Sequence, residues 1–368
     1  MKRQLWILIS LAAMVCFSWV GCTDDDSPND STGLGPNPKG RLYVLNQTEG
    51  TIYVFDTETL ERTDSIDAMI SNPHYIDFSP DGRFFFVTTL EGPGKIAKFD
   101  ATNNTFISTV TMTGQVIPSA IAIVNDSSNN MFGYVCDFTL SPLVTGNVHK
   151  YNLDDMSFVT SSIRSGATSH DMKVTSDGKV IVVCSRDTDD ITLVYPPSDT
   201  VIVVPIDPAE QRPAGQAVYG PFGVAIDHRD SLAYIACIKA DQIRVLDITT
   251  QTIVDSIDIE HIHSDRMPHG PTLMTVAPDN DVVWVTTQWS DHVFAVRRSD
   301  KATVAEHHLS VGRCFGITMS SDGSRVYAAS VNFQNQPGRV YIFDGPTYAK
   351  IDSIDVGTNS FGLIWRPL

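Results

Sequence analysis

The sequence lacks the short motifs that mark most catalytic and cofactor-binding centres. It has no Cys-x-x-Cys or Cys-x-x-Cys-His pair, which argues against a zinc ribbon and against covalently attached c-type haem. It also has no Gly-x-Ser-x-Gly elbow, Walker loop or His-Glu-x-x-His pair. The acidic residues Asp187, Asp189 and Asp190 lack the glycine and terminal glutamate of an EF-hand calcium loop. The function must therefore be sought outside these classes.

Basic residues are also scarce. The chain has 26 Lys and Arg against 43 Asp and Glu, which gives a formal net charge of −17. Such a protein repels polyanions, so nucleic acid is excluded as a partner.

The first 21 residues have the features of a bacterial export signal. Lys2 and Arg3 precede an apolar run of about 17 residues, which is too short and wrongly flanked for a membrane-spanning helix. The ending Ser-Trp-Val-Gly-Cys, residues 18–22, resembles a lipobox, in which cleavage before Cys22 leaves that residue acylated. We expect a signal peptide over residues 1–21 and a protein held outside the cytoplasm by lipid on Cys22. An ordinary secretory signal is the alternative.

Residues 22–40 are rich in Asp, Ser, Pro and Gly and have few large apolar side chains, a composition typical of a flexible acidic linker. The run Asp24, Asp25, Asp26 is similar to the acidic sorting signal of some outer-membrane lipoproteins. A simple solvated linker explains it equally well. The expected location is the outer membrane or the cell surface.

Four cysteines remain after the signal and Cys22: Cys136, Cys184, Cys237 and Cys314. An exported protein can form disulfides. Cys136 and Cys184 occupy equivalent places in neighbouring repeats, however, which favours small buried thiols.

Between residues 41 and 368 one pattern of four short strands occurs seven times. One strand of each unit is seen in Tyr43-Val44-Leu45, Phe86-Val87-Thr88 and Trp284-Val285-Thr286, and Asp-Gly turns follow the opening strands. A period of about 40–50 residues with four strands per unit is typical of a propeller. We predict an all-β fold over residues 41–368, a seven-bladed β-propeller with four antiparallel strands per blade. Because the chain ends on an opening strand, that strand must join the three N-terminal strands and close the ring.

The segments Tyr43-Val-Leu-Asn46, Thr51–Thr59 and Asn72–Gly82 resemble the YVTN β-propeller repeat of bacterial and archaeal surface proteins. The resemblance covers about nine-tenths of the mature chain. It implies the propeller fold but little about activity, since such propellers include lactonases, copper and haem reductases, and proteins that only bind.

Propeller geometry places the longer connections on one face, where binding residues usually lie. The opening strands begin there, at His74, Ser119, His170, Phe222, Thr272, Phe315 and Phe361. We therefore expect ligand-binding residues around this central mouth: His74, His170, Phe222, His269, Phe315, Phe361, Trp289, Arg186 and Arg313. The loop residues His261, His263, Arg266, Asp291 and His292 lead to the same mouth.

Histidines that converge on one axis can ligate a transition metal, and His74, His170 and His269 are the candidates here. Three phenylalanines in the same ring argue against a full histidine ring. Hydrogen bonding to a ligand or water, and a purely structural role, are the alternatives. No other cofactor is indicated. Ser169-His170-Asp171 is not a triad, since neighbouring strand residues point to opposite faces.

The sequence favours a binding module for a small molecule, glycan or partner protein at this mouth, without turnover. A capture protein for a TonB-dependent transporter is one form of this hypothesis. The enzymatic alternative is a lactonase-like, lyase-like or redox enzyme that uses the histidines.

Overall fold

We describe the protein from a computed structural model, which covers residues 35–140, 145–209, 213, 215–259, 268–332 and 336–368. The signal sequence, Cys22, His261, His263 and Arg266 lie outside these residues. No helix long and apolar enough to cross a membrane occurs within them.

The secondary structure of these ranges consists of strands. In chain order they are β1 (Gly40–Asn46), β2 (Thr51–Asp56), β3 (Arg62–Asp67), β4 (Pro73–Phe78), β5 (Phe84–Thr89), β6 (Lys95–Asp100), β7 (Thr105–Thr111), β8 (Pro118–Asn125), β9 (Met131–Asp137), β10 (Asn147–Asn152), β11 (Ser157–Arg164), β12 (Ser169–Val174), β13 (Ile181–Ser185), β14 (Asp190–Tyr195), β15 (Thr200–Pro205), β16 (Pro221–Ile226), β17 (Leu232–Cys237), β18 (Gln242–Asp247), β19 (Thr252–Asp258), β20 (Pro271–Val276), β21 (Val282–Thr287), β22 (His292–Arg297), β23 (Thr303–His308), β24 (Arg313–Met319), β25 (Arg325–Val331), β26 (Pro337–Asp344), β27 (Lys350–Thr358) and β28 (Ser360–Pro367).

These strands form seven four-stranded antiparallel sheets, the blades. Blade 1 has the order β28-β1-β2-β3, and blades 2 to 7 begin at β4, β8, β12, β16, β20 and β24. The innermost strand of each blade contacts the innermost strands of both neighbouring blades. The predicted seven-bladed propeller is confirmed.

Ring closure also follows the prediction. β28 pairs with β1 from Gly40 opposite Pro367 to Asn46 opposite Ser360. The last strand of the chain therefore completes the first blade and pairs with the inner edge of β1, which would otherwise be exposed.

Apolar side chains fill the space between each pair of adjacent blades. Between blades 1 and 2, for example, the rings of Phe85 and Phe99 stack with their centroids 4.7 Å apart. The branched and aromatic residues that favour strands thus also form the core. The four cysteines Cys136, Cys184, Cys237 and Cys314 are buried free thiols within these interblade layers.

The two faces of the ring differ in their connections. The short-turn face carries the turns that leave the first and third strands of each blade. There Gly82 has a positive φ of 69° after Asp81, which accepts a 2.7 Å hydrogen bond from Ser79. The same turn recurs around Gly178 and Gly323. The long-loop face carries the remaining connections.

The segment that precedes β1 lies against the short-turn face. Arg325, at the start of β25, is buried and pairs with Asp344 at 2.7 Å. Its guanidinium also donates to the carbonyl of Gly35 and, at 2.8 Å, to the side chain of Asn37. The chain therefore enters the propeller on the face with the short turns.

Candidate functional site: an axial cavity behind an aromatic layer

The opening residues of five inner strands meet at the long-loop end of the axis. His170 stacks on Phe222 with ring centroids 3.6 Å apart, and Phe361 lies 4.2 Å from His74 and 4.4 Å from Phe315. His74 and His170 are 5.6 Å apart. These residues come from blades on opposite sides of the ring, so their mutual contacts fill the axis. We call His74, His170, Phe222, Phe315 and Phe361 the aromatic layer.

Both histidines of the layer are buried, with 1% and 4% of their surface exposed. Burial lowers the pKa of His74 to about 3 and that of His170 well below its usual value, since a buried imidazolium loses its hydration. Both rings are therefore neutral at pH values near 7. Nε2 of His74 and Nδ1 of His170 have no hydrogen-bond partner among the described residues. Each of these nitrogens is thus a buried polar atom that the described residues leave without a hydrogen bond.

A cavity of ≈ 290 Å³ lies on the other side of this layer. Residues of β4, β12, β16, β20, β24 and β28 line it, together with His228 of the turn after β16. His228 is exposed on the short-turn face, and its Nε2 lies 3.0 Å from the carbonyl of Val276. The axial cavity thus opens on the short-turn face, whereas the sequence placed the expected site at the long-loop mouth.

Charged side chains converge in one wall of the axial cavity. Lys173 donates a short hydrogen bond to the hydroxyl of Tyr75, and its Nζ lies 4.9 Å from the centre of that ring. The two oxygens of Asp171 accept hydrogen bonds from the backbone N–H groups of Met172 and Val224, each at 2.9 Å. Asp171 is therefore held firmly beside Lys173.

Asp77 lies next to this group on β4. Burial raises the pKa of both Asp77 and Asp171, and the positive charge of Lys173 opposes that rise. Burial, followed by the charges of Asp171 and Asp77, raises the pKa of Tyr75 well above its usual value, so its hydroxyl stays protonated. We call Tyr75, Asp77, Asp171 and Lys173 the polar cluster.

The repeat explains why the polar cluster can exist. The residue after each opening position is glycine in three blades, and a Cβ on Gly362 would lie 2.4 Å from the carbonyl oxygen of His74. Blades 2 and 4 carry Tyr75 and Asp171 at this position instead. Blade 3, between them, has only Ala120 and Ala122 at the positions equivalent to Tyr75 and Asp77. Tyr75 therefore reaches across blade 3 to Lys173.

The sequence contains a signal for this site apart from the histidines. Across the seven aligned inner strands, charged residues at the positions of Asp171 and Lys173, which line the cavity, occur only in blades 2 and 4. The third such residue is Asp77, at the position equivalent to Lys173. A departure from a repeat at a structurally constrained position is a sign of function.

The other expected site residues lie elsewhere on the long-loop face. His269 is buried, with Nδ1 3.0 Å from the hydroxyl of Ser290 and its ring against Phe294. Trp289 is 39% exposed and covers Gly270. Arg313 is exposed at the start of β24. Among the described residues, no group of three His, Cys, Asp or Glu side chains is arranged to hold a metal ion.

Arg186 covers the aromatic layer from the long-loop side. Its guanidinium lies 5.4 Å from the ring of Phe138, whose edge packs on His170 at 4.9 Å. It also forms a 2.9 Å ion pair with Asp187, to which Lys239 adds a contact at 3.2 Å. Arg186 therefore lies over Phe138, next to His170, at this end of the axis.

Three acidic residues of the long-loop face lie where strands begin: Asp189 directly before β14, Asp190 at its start, and Asp291 directly before β22. The buried carboxylate of Asp189 accepts backbone hydrogen bonds from residues 218, 219 and 220, at 2.6 to 3.0 Å. Burial raises the pKa of Asp190 and of Asp291. His292 lies 3.5 Å from Glu306 in blade 6. Asp189 thus holds the long connection that leads into blade 5.

Comparison with protein-family models and with curated protein sequences gave no match. Solved structures do match. A protein of unknown function from Desulfotomaculum acetoxidans is 12% identical with a TM-score of 0.66, over 89% of this chain and 99% of its own. A hydrazine synthase from Kuenenia stuttgartiensis is 18% identical with a TM-score of 0.61, over 78% and 87%. The dihydro-haem d1 dehydrogenase NirN, in complex with DHE, is 12% identical with a TM-score of 0.59, over 90% and 76%. At these identities the likeness establishes the propeller fold alone.

Proposed function

We propose that this protein binds a small polar molecule in the axial cavity and does not convert it. The observation that carries the proposal is the polar cluster, of which Lys173, Tyr75 and the hydrogen-bonded carboxylate of Asp171 line a cavity closed at one end by rings. Concave sites with a few convergent polar groups in apolar surroundings are typical of small-molecule binding. The cavity is at the small end of such sites, which favours a ligand the size of one six-membered ring.

The lipobox-like segment supports a lipid-anchored protein outside the cytoplasm, at the outer membrane or the cell surface. The repeat resemblance supports a place among YVTN-type surface propellers. The described end of the linker lies on the short-turn face, where the axial cavity opens. Capture of a nutrient for a TonB-dependent transporter is the role that fits a tethered binder of this kind.

Thermal-shift screening tests the binding site. A panel of amino acids, amines, carboxylates and sugars should contain a member that raises the melting temperature, because a ligand at 100 times its Kd adds about 2.7 kcal/mol of stability. Lys173→Met should abolish that shift. The matched control is Lys98→Met, because Lys98 is also buried under aromatic rings but lies outside the cavity, with Nζ 2.6 Å from the carbonyl of Leu153. An equal shift in both variants would contradict the proposed site.

The anchor is tested separately. Cys22→Ser should move the protein from the membrane fraction to the soluble fraction, and growth in labelled palmitate should label only the wild type. Membrane attachment that survives this substitution would contradict lipidation at Cys22.

A further inference from the structure

The outer strands of the propeller differ in how they protect their free edge. Each is the fourth strand of its blade, and no described strand pairs with its outer side. Such an edge presents a row of unpaired N–H and C=O groups, which attract strands of other molecules unless bulges or charges prevent it. The seven outer strands are β3, β7, β11, β15, β19, β23 and β27.

Six of these strands carry a bulge at the same place. In β19, Asp255 lies opposite Val245 and Ile253 lies opposite Leu246, so Val254 is an extra residue. The equivalent extra residues of β3, β7, β11, β23 and β27 are Thr63, Ile107, Val159, Val304 and Ile351. The exception is β15, whose six residues pair with β14 without a shift, from Thr200 opposite Tyr195 to Pro205 opposite Asp190.

β15 also lacks charge. Its sequence is Thr-Val-Ile-Val-Val-Pro, and both Ile202 and Val203 are exposed. Of the six bulged strands only β7 is also uncharged, since β11 contains Arg164 and the other four contain Asp or Glu. Among the outer strands that the structure describes, β15 is thus the one that neither a bulge nor a charge protects. A regular, apolar edge of this kind is suited to pairing with another strand.

The charges around β15 indicate which molecule supplies that strand. A net charge of −17 makes two copies of the chain repel each other, except where their contact surface has no carboxylates. β11 contacts β15 from the neighbouring blade, with Asp154 and Asp155 exposed just before it and Arg164 exposed at its end. If two copies of β15 paired antiparallel, their β11 strands would run in opposite directions on the same side of the joined sheet. Arg164 of each copy would then lie at the end where the other copy has its two aspartates, an arrangement of complementary charge.

We infer that two copies of this chain form a dimer in which β15 of each copy pairs antiparallel with β15 of the other. Blade 4 of both copies then forms one sheet of eight strands, four from each copy. The contact is the same on both sides and is related by a two-fold axis, so it closes at two copies and does not extend to a fibre. β15 does not line the axial cavity, so this inference is independent of the proposed function.

Analytical ultracentrifugation over a series of concentrations tests the dimer, on the chain from residue 22 onward with Cys22→Ser so that no lipid is attached. The wild-type propeller should sediment as a monomer and a dimer in concentration-dependent proportion. Val203→Lys and Val203→Asp should each weaken association at least about tenfold, because each places an unpaired charge in the paired edge. These two variants change the net charge in opposite directions, which separates the contact from a general effect of charge.

Val254→Lys is the matched control. Val254 is 52% exposed and Val203 is 54% exposed, and both are valines of outer strands, but Val254 is the extra residue of the bulge in β19. Val254→Lys should therefore leave the association unchanged. All three variants replace an exposed side chain, so their thermal transitions should remain cooperative.

Hydrogen exchange locates the contact in the wild type. Amides of residues 200–204 that point away from β14 should exchange more slowly as the concentration rises, because they gain hydrogen bonds in the dimer. Exchange of residues 252–258 should not depend on concentration. Val203→Lys should remove the concentration dependence at residues 200–204.

Three results would overturn the inference. A wild type that stays monomeric at every concentration would assign the free edge of β15 to a strand of a different protein. A dimer that survives both Val203 substitutions, or that Val254→Lys weakens equally, would mean that the copies meet elsewhere. A dimer that forms without slower exchange at residues 200–204 would exclude pairing through β15.

Discussion

Stability should fall steeply in mild acid because of the two buried histidines. An unfolded histidine has a pKa near 6.5, whereas burial lowers that of His74 to about 3. The unfolded chain therefore binds more protons than the folded protein between these values, and stability is lost as the pH falls through this window. From about pH 7 to about pH 5 the loss is about 2 kcal/mol for His74.

His170 should add to this loss, since its folded pKa also lies well below the ordinary value. The contribution of His74 alone, about 2 kcal/mol, is already a sizeable part of the 5–15 kcal/mol that is typical of folded proteins. Asp77 and Asp171 affect stability in the opposite direction. Because burial raises their pKa in the folded state, the folded protein binds more protons than the unfolded chain at pH values above the ordinary carboxyl pKa of about 4. A comparison with a variant that lacks only the histidines isolates their share.

The assay is urea unfolding at about pH 7, 6 and 5, followed by tryptophan fluorescence and circular dichroism. The double variant His74→Phe/His170→Phe should lose at least about 2 kcal/mol less than the wild type over this interval. His308→Phe, which removes an exposed histidine, is the control for histidine content. Equal losses of stability in the wild type and the double variant would refute the claim that the imidazoles of the aromatic layer are neutral and buried.

Three further outcomes follow from the fold. Truncation before Ser360 removes β28 and the burial of Phe361, Leu363 and Trp365, about 5–9 kcal/mol, and should give aggregated or unfolded protein; a soluble product with a cooperative thermal transition would contradict ring closure. Gly362→Ala should destabilise by about 1–3 kcal/mol in urea titrations, because its Cβ meets the carbonyl of His74, whereas Gly35→Ala, with open space around it, should be neutral. Asp189→Ala should destabilise by about 3 kcal/mol and speed hydrogen exchange at residues 218–220, and unchanged exchange there would refute its role as a loop anchor.

The architecture was predictable because it depends on local, repeated signals. Apolar strands, Asp-Gly turns such as that at Gly82, and the unpaired opening strand at the C-terminus each specify hydrogen bonding over a few residues. Together they determine the blade count and the ring closure that β1 and β28 display.

The position of the cavity was not predictable in the same way. Whether the axis is open or filled depends on how His74, His170 and Phe361 pack across the ring, and these residues are far apart in the sequence. Propeller geometry indicated the long-loop mouth, whereas the rings of these residues close that end and leave the cavity on the opposite side. The buried role of Asp189 was missed for a related reason, since its partners lie about 30 residues further along the chain.

Thiol protection tests the central claim, that the ligand binds in the axial cavity and not at the long-loop mouth. The four cysteines of the folded domain are buried. In a variant that begins after Cys22, an introduced cysteine is therefore the accessible thiol that the reagent modifies. Thr275→Cys places that thiol in the cavity lining, and Trp289→Cys places it on the long-loop face. The ligand that gives the largest thermal shift should slow modification of residue 275 by a small methanethiosulfonate and leave residue 289 unaffected. Protection of residue 289 with free modification of residue 275 would contradict the account.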